Sequence, residues 1–258
     1  LTVVGLPKTV DNDVYPIAQT LGAWTAAEQG AIFFENIANE NTTSDRQLII
    51  HEVMGRDCGW LTAATALEYR KRLNNLHFIP EIGLSKEKWE VHSVLIPEEE
   101  IDFDKECERL NNVMDKQACV NVFLSEGAGT DVIIRETEKN GETVLRDAFG
   151  HVRLDDLKPG QWFAKQLGKR LNANKILVQK SGYFGRSSKA NQADLDLIFE
   201  VADHAVQSAL NGKNGVVGWD EDNNNTLSCI DFSRIKGGKP FDTTLDWYKD
   251  MIEEIRAI

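Results

Sequence analysis

The chain has 258 residues, with 41 Asp and Glu against 29 Lys and Arg, a formal net charge of −12. A length near this value sits where one hydrophobic core begins to divide into two, so one large domain or two modest ones are expected. The acidic balance argues against nucleic acid as a partner, and it means that any phosphate ligand needs a local basic pocket. Cys58, Cys107, Cys119 and Cys229 are too widely spaced for a zinc site or a disulfide scaffold and read as reduced thiols of a cytoplasmic protein. No apolar run approaches the roughly 18 residues that cross a bilayer, and Leu1-Thr2-Val3-Val4-Gly5 lacks the pattern of a signal peptide.

Thr2 to Gly5 reads as a strand stopped by Leu6-Pro7, and a polar loop follows at once. Leu21, Trp24, Ala27, Ala31, Phe34 and Ala38 recur at three- and four-residue steps, as on the buried face of a helix between Thr20 and Asn39. Gln47 to Val53 is a second strand, ended by Met54-Gly55-Arg56, and Leu61 to Arg72 is a helix with a basic last turn. Short strands are expected at Leu76 to Pro80 and Val94 to Ile96. The acidic run Glu98-Glu99-Glu100 is expected to open a helix through Asp115, its charge complementing the helix dipole. A strand from Ala118 to Leu124 runs into Ser125-Glu126-Gly127-Ala128-Gly129, and a helix marked by Trp162, Phe163, Leu167 and Leu171 leads to a strand at Lys175 to Val178, closed by Ser181-Gly182-Tyr183. A helix from Ala193 to Asn211, a strand from Gly215 to Trp219, a turn over Asp220 to Asn225 and a helix from Thr243 to Ile258 complete the chain. Strands alternating with helices predict an α/β fold, a mainly parallel sheet with helices on both faces.

Ligands of open α/β sheets bind beyond the carboxyl ends of the strands, so the residues just after each strand carry the information. Four loops stand out. Pro7-Lys8-Thr9-Val10-Asp11-Asn12-Asp13 combines two carboxylates with a lysine and a threonine, enough for a general base, a metal ligand and a phosphate contact, though Asp-Asn-Asp is also an ordinary turn. Met54-Gly55-Arg56 presents a guanidinium, whose planar fork suits phosphate, at a sharp turn. Glu126 before two glycines could accept from sugar hydroxyls, while Lys180, Tyr183 and Arg186 among small residues suit a phosphate. Each of these is also compatible with a plain surface turn. The histidines His51, His77, His92, His151 and His204 show no metal-ligand spacing, His51 reading as a core residue, and there is no Gly-x-Ser-x-Gly elbow of a serine hydrolase.

Taken in order, Pro-Lys-Thr-Val-Asp-Asn-Asp at 7 to 13, Met-Gly-Arg at 54 to 56, Ser-Glu-Gly at 125 to 127 and Gly-Tyr-Phe-Gly-Arg at 182 to 186 resemble the motifs of the 6-phosphofructokinases, and the likeness runs on through Asn214 to Gly218. It is most similar to the pyrophosphate-dependent branch, in which a lysine stands where Lys8 does; the ATP-dependent branch and a non-catalytic subunit of the same fold are the alternatives. The resemblance implies a phosphofructokinase-like fold of two Rossmann-like subdomains: residues 17–183 would bind fructose 6-phosphate, while 1–16 and 184–258 would be the remnant of an incomplete phosphoryl-donor subdomain plus a C-terminal helix. It implies that Asp11 is the general base for the 1-hydroxyl, that Lys8 stabilises the phosphoryl group in flight, and that Thr9 and Val10 contact substrate. Met54, Gly55, Arg56 and Glu126 would line the sugar-phosphate pocket, with Tyr183 and Arg186 closing on phosphate and Asp13 assisting Mg2+. Lys175 or Lys180 would supply a further phosphate cation. It further implies fructose 6-phosphate and pyrophosphate as ligands and a homodimer or homotetramer. The family's Gly-Gly-Asp donor motif does not occur in this sequence, so an N-terminally truncated chain, inactive by itself, is expected.

Overall fold

The two long central strands of the protein are buried on both faces, which is why their sequences carry nearly continuous apolar runs rather than alternating ones. A computed structural model describes residues 1–139, 141 and 157–258. The chain forms β1 (Val4–Gly5), α1 (Ala23–Ala38), β2 (Gln47–Val53), α2 (Trp60–Leu73), α3 (Lys86–Trp89), β3 (Ser93–Leu95), α4 (Phe103–Gln117), β4 (Cys119–Ser125) and α5 (Thr130–Lys139). After the undescribed stretch come α6 (Pro159–Arg170), β5 (Lys175–Lys180), α7 (Gly182–Arg186), α8 (Gln192–Leu210), β6 (Gly215–Asp220), β7 (Thr226–Ile230) and α9 (Asp246–Arg256). His151 lies outside the described residues.

One sheet has the strand order β3-β4-β2-β5, all parallel. Its faces are covered separately. Ile49, Val94 and Phe123 pack with Phe34 of α1, Tyr69 of α2 and Met251 of α9, whereas Leu48, Ile50 and Val122 pack with Leu110 of α4, Ile133 of α5 and Phe163 of α6. Each fully buried side chain of this size contributes about 1.5–3 kcal/mol, so the two layers clamp the sheet between them. The expected architecture, a parallel sheet with helices on both faces, is therefore present. A second sheet, in the order β1-β6-β7, pairs β1 with β6 in parallel and β6 with β7 antiparallel, and α8 lies on it through Leu197 and Val201 against Val217.

Two local expectations are corrected, and one strand is added. No strand forms at Leu76 to Pro80: a 3-10 turn over Pro80–Ile82 and Gly83 in a left-handed conformation fold that segment back, so that Ile79 bridges Leu84. The helix expected from Glu98 starts at Phe103, with the Asp102 side chain accepting from the Lys105 N–H at 3.2 Å as its N-cap. Glu98 instead serves another helix, its carboxylate accepting the Gly59 N–H at 2.9 and 3.0 Å at the start of α2 and the Phe241 N–H at 2.8 Å. The Asn-rich turn after Asp220 is present, with Asn224 and Asn225 both at positive φ, and it returns the chain into β7, a strand its composition does not announce.

Candidate functional site

β2 and β4 are neighbours, yet the helices that follow them leave toward opposite faces: α2 packs on the side of Ile49, and α5 on the side of Leu48. The two departing loops start from the carboxyl ends of adjacent strands, the place where open α/β sheets bind their ligands. Met54-Gly55-Arg56 and Ser125-Glu126-Gly127 are these two loops.

They are in intimate contact. The Ser125 hydroxyl donates to the Gly55 carbonyl, and the Glu126 N–H donates to the Val53 carbonyl at 2.9 Å. A methyl group on Gly127 would stand 1.6 Å from the carbonyl oxygen of Arg56, so only glycine allows the loops to approach this closely. Burial raises the Glu126 carboxyl, opposed by a hydrogen bond from the Gly55 N–H and by the Arg56 and Lys180 charges. The end of β5 adjoins the same place, the candidate crevice. Gly182 sits against the Met54 side chain, and the Ser181 hydroxyl is 2.7 Å from Nε2 of the buried His51, whose burial pushes it down to about 3 and keeps it neutral.

Asp11 stands in the loop between β1 and α1. Its Oδ1 is buried without a hydrogen-bond partner, and its carboxyl is raised to about 6, chiefly by burial and then by the negative charges of Asp13, Glu126 and Asp57, against the Arg186 guanidinium. Thr9 Oγ1 accepts the Asp11 N–H at 3.2 Å and lies 3.4 Å from Asp13 Oδ1. Val10 is buried with Ala26, Val53 and Leu61 and with Met54 packed alongside; this couples the Asp11 loop to the Met54 turn and leaves only the backbone of Val10 to meet a ligand. Lys8 is exposed and its backbone bridges Leu21. Tyr183 and Arg186 project from the short helix α7, the Arg186 guanidinium 5.7 Å from the Tyr183 ring centre.

Of the four cations Lys8, Arg56, Lys180 and Arg186, the last three act on the carboxylates of this one crevice, and Lys8 belongs to the loop of Asp11. The two candidate lysines of β5 are separated by geometry. Lys180 is at the carboxyl end, its Nζ 2.5 Å from Glu52 Oε1. Lys175 is at the other end of the strand, paired with Glu40 at 2.7 Å, about 16 Å of strand away from the crevice. Lys175 therefore cannot reach a ligand held there.

Sequence reading misses Asn12, Thr20, Glu52 and Asp194. Asp194, in the first turn of α8 and fully buried, accepts the N–H groups of Gly22 at 2.8 Å and Thr25 at 2.7 Å and so caps α1 from another element. Glu52 accepts the Gly160 N–H at 3.1 Å besides Lys180. An Asp or Glu inside an apolar segment is the available signal for both.

The donor set tests for a magnesium site. Among the described residues no three His, Cys, Asp or Glu side chains converge as a closed metal cage. Asp13, whose charge acts on Asp11, offers instead a single carboxylate of the kind with which Mg2+ is held when phosphate oxygens and waters complete its shell, so the residues present fit that ion.

The phosphofructokinase family model matches residues 1–209. The chain is 57% identical over 255 residues to the pyrophosphate–fructose 6-phosphate 1-phosphotransferase of Methylomonas methanica, a match covering 99% of this chain and 62% of that protein. It is 53% identical over 255 residues to the protein of the same name from Propionibacterium freudenreichii, covering 99% of this chain and 63% of the relative. The chain thus spans somewhat under two thirds of the length of these curated relatives. The pyrophosphate-dependent phosphofructokinase structure from Nitrosospira multiformis superposes with a TM-score of 0.66 at 20% identity, over 100% of this chain and 59% of that one. The corresponding structure from Marinobacter aquaeolei gives 0.63 at 22%, over 99% and 60%. At such identities the two structures speak for the fold.

Proposed function

The chain belongs to the phosphofructokinase family, and on that premise we propose that the whole protein transfers a phosphoryl group from pyrophosphate to the 1-hydroxyl of fructose 6-phosphate. The observation that carries this reading is the Asp11 carboxyl: partly desolvated, with one oxygen unpartnered, raised to about 6 and within the field of the Arg186 guanidinium, it is a base poised near neutral pH.

In the proposed reaction Asp11 takes the proton of the 1-hydroxyl as that oxygen bonds to the near phosphorus of pyrophosphate. The bridging P–O bond breaks, and inorganic phosphate leaves with the electron pair. Glu126 accepts from sugar hydroxyls, and the backbone at Met54 and Gly55 lines the sugar. Arg56, Tyr183 and Arg186 hold the 6-phosphate and phosphoryl oxygens, their charge being what an acidic protein needs to receive two polyanions. Thr9 and the Val10 backbone fix the loop against substrate. Lys8 sits three residues before the base and neutralises charge on the transferred group; pyrophosphate has no nucleoside to bind, so recognition falls on such charge contacts. Mg2+, held by Asp13 together with phosphate oxygens, would supply Lewis-acid charge neutralisation.

Lys180 has its charge matched by the buried Glu52, so we assign it to shaping the crevice around Glu126 rather than to the phosphate itself. We also divide the chain into 17–183, the sugar-phosphate part, and 1–16 with 184–258, the remnant of the donor part plus the C-terminal helix α9, which packs back on the four-stranded sheet. The four-stranded sheet falls wholly in the first, while the three-stranded sheet joins β1 from one end of the sequence to β6 and β7 from the other, which supports the division. A homodimer or homotetramer in the cytoplasm completes the proposal. The test is phosphoryl transfer by the whole protein with fructose 6-phosphate and Mg2+, comparing pyrophosphate with ATP. Turnover with pyrophosphate is expected, and a preference for ATP would overturn the donor assignment.

A further inference from the structure

Asn12 lies between the two carboxylates of the loop and takes no part in the chemistry proposed for them. It is 4% exposed, and its φ of 57° places it in the left-handed region, which most L-residues avoid but which asparagine tolerates. Both ends of its side chain are bonded to the protein. Oδ1 accepts the Thr20 N–H at 2.8 Å and lies 3.1 Å from the Thr20 hydroxyl, while Nδ2 donates to the Ala18 carbonyl at 3.3 Å. Thr20, itself fully buried, reaches back with the same hydroxyl to within 2.8 Å of the Thr9 carbonyl. Leu21 N–H donates to the Pro7 carbonyl at 2.9 Å, and Asp194 fixes Gly22 and Thr25 just beyond. The loop is thus stitched across its base from 7 to 25, with Asn12 and Thr20 as the central stitch. Glycine would satisfy the backbone at position 12 alone; asparagine satisfies it and also ties it down.

We propose that Asn12 is a positioning residue: its left-handed backbone and its hydrogen bonds to Thr20 and Ala18 fix where the Asp11 carboxyl stands relative to the bound sugar phosphate. This rests on Asp11 as the general base. The carboxyl has no partner of its own on Oδ1 to hold it, so its place is set by the backbone on either side, and on the downstream side that backbone is Asn12. A base displaced by about 1 Å can lose on the order of a hundredfold in rate while substrate still binds.

The test uses the whole protein. Asn12→Gly keeps the left-handed backbone accessible and removes the side-chain hydrogen bonds. It is expected to lower kcat by about 30-fold or more, with KM for fructose 6-phosphate changed by less than about threefold. Thr20→Val removes the hydroxyl that links Asn12 to Thr9 and is expected to lower kcat in the same selective way, and Thr20→Ser to restore it; a residue serving fold alone would not give this split or this rescue. Asp11→Asn is measured beside them. If Asp11→Asn is inactive while Asn12→Gly keeps kcat within about threefold of the original, Asn12 is not a positioning residue, although the base assignment stands. If Asp11→Asn keeps its activity, the base assignment falls and this proposal with it. Should Asn12→Gly fail to fold, the Thr20 pair decides: equal kcat for Val and Ser would overturn the proposal.

Discussion

Two acidic side chains near the same crevice are treated in opposite ways. Glu52, inside β2, is buried and has a partner for each oxygen, Lys180 on one and the Gly160 N–H on the other. Asp11, in the loop before α1, has an oxygen with none. Leaving a buried polar atom unpaired costs about 1–3 kcal/mol, and of these two carboxylates the fold bears that cost at Asp11. The strand end thus forms a rigid, paired frame, while the loop presents a carboxyl that is free to take a proton. This is how a stable sheet and a reactive site share one crevice.

The contrast is broken most severely at Asp11. Asp11→Asn should lower kcat by about 10³-fold while fructose 6-phosphate still binds, as steady-state kinetics and equilibrium binding together would show. The same change should make the protein more stable at neutral pH. Because the folded carboxyl is raised from 3.8 to about 6, the folded state holds its proton longer than the unfolded chain, and stability falls as pH climbs through that window. Asp11→Asn escapes this loss, so its Tm should exceed that of the original protein above about pH 6 and match it near about pH 3.5; thermal melts across that range would check both the sign and the window.

Gly127→Ala attacks the frame instead. With its Cβ placed on the Arg56 carbonyl, the two loops must separate, at a cost of about 3 kcal/mol, seen as a Tm lower by roughly 6–12 °C and a raised KM for the sugar phosphate. Lys180→Met removes the ion partner of Glu52 and leaves a carboxylate that is 5% exposed. Because Lys180 itself is half in water, the expected loss is about 2 kcal/mol, read from denaturant melts. Lys175→Ala, at the far end of the same strand, should change stability by about 0.5 kcal/mol or less and leave kcat and KM alone. A large kinetic effect there would show that the strand does not separate the two lysines as described.

Much of this organisation is legible in the order of the residues. Apolar runs mark buried strands and chemistry gathers after them, which singles out the four loops, and the four ordered motifs carry the family. What stays hidden is tertiary in origin. Glu98 reads as a dipole complement to the next helix because that helix is near in sequence, but its carboxylate caps α2 from 39 residues away. Asp194 likewise caps α1 across 172 residues, and no local pattern at Gly22 records it. Asn12 looks like turn filler between two more conspicuous acids; its role lies in a side chain that meets Thr20 only after the loop closes. The strand expected at Leu76 to Pro80 fails for the converse reason, since Gly83 turns the chain before any partner strand is met.

The Glu98 carboxylate also ties two distant parts of the chain into one thermodynamic unit. It receives the amide hydrogens of both Gly59, just past the Arg56 turn, and Phe241, which leads into α9. An opening that frees one of these hydrogens by withdrawing the carboxylate frees the other as well, so their deuterium uptake should follow one event. Loosening the C-terminal segment would thereby be felt at Gly59, three residues beyond Arg56.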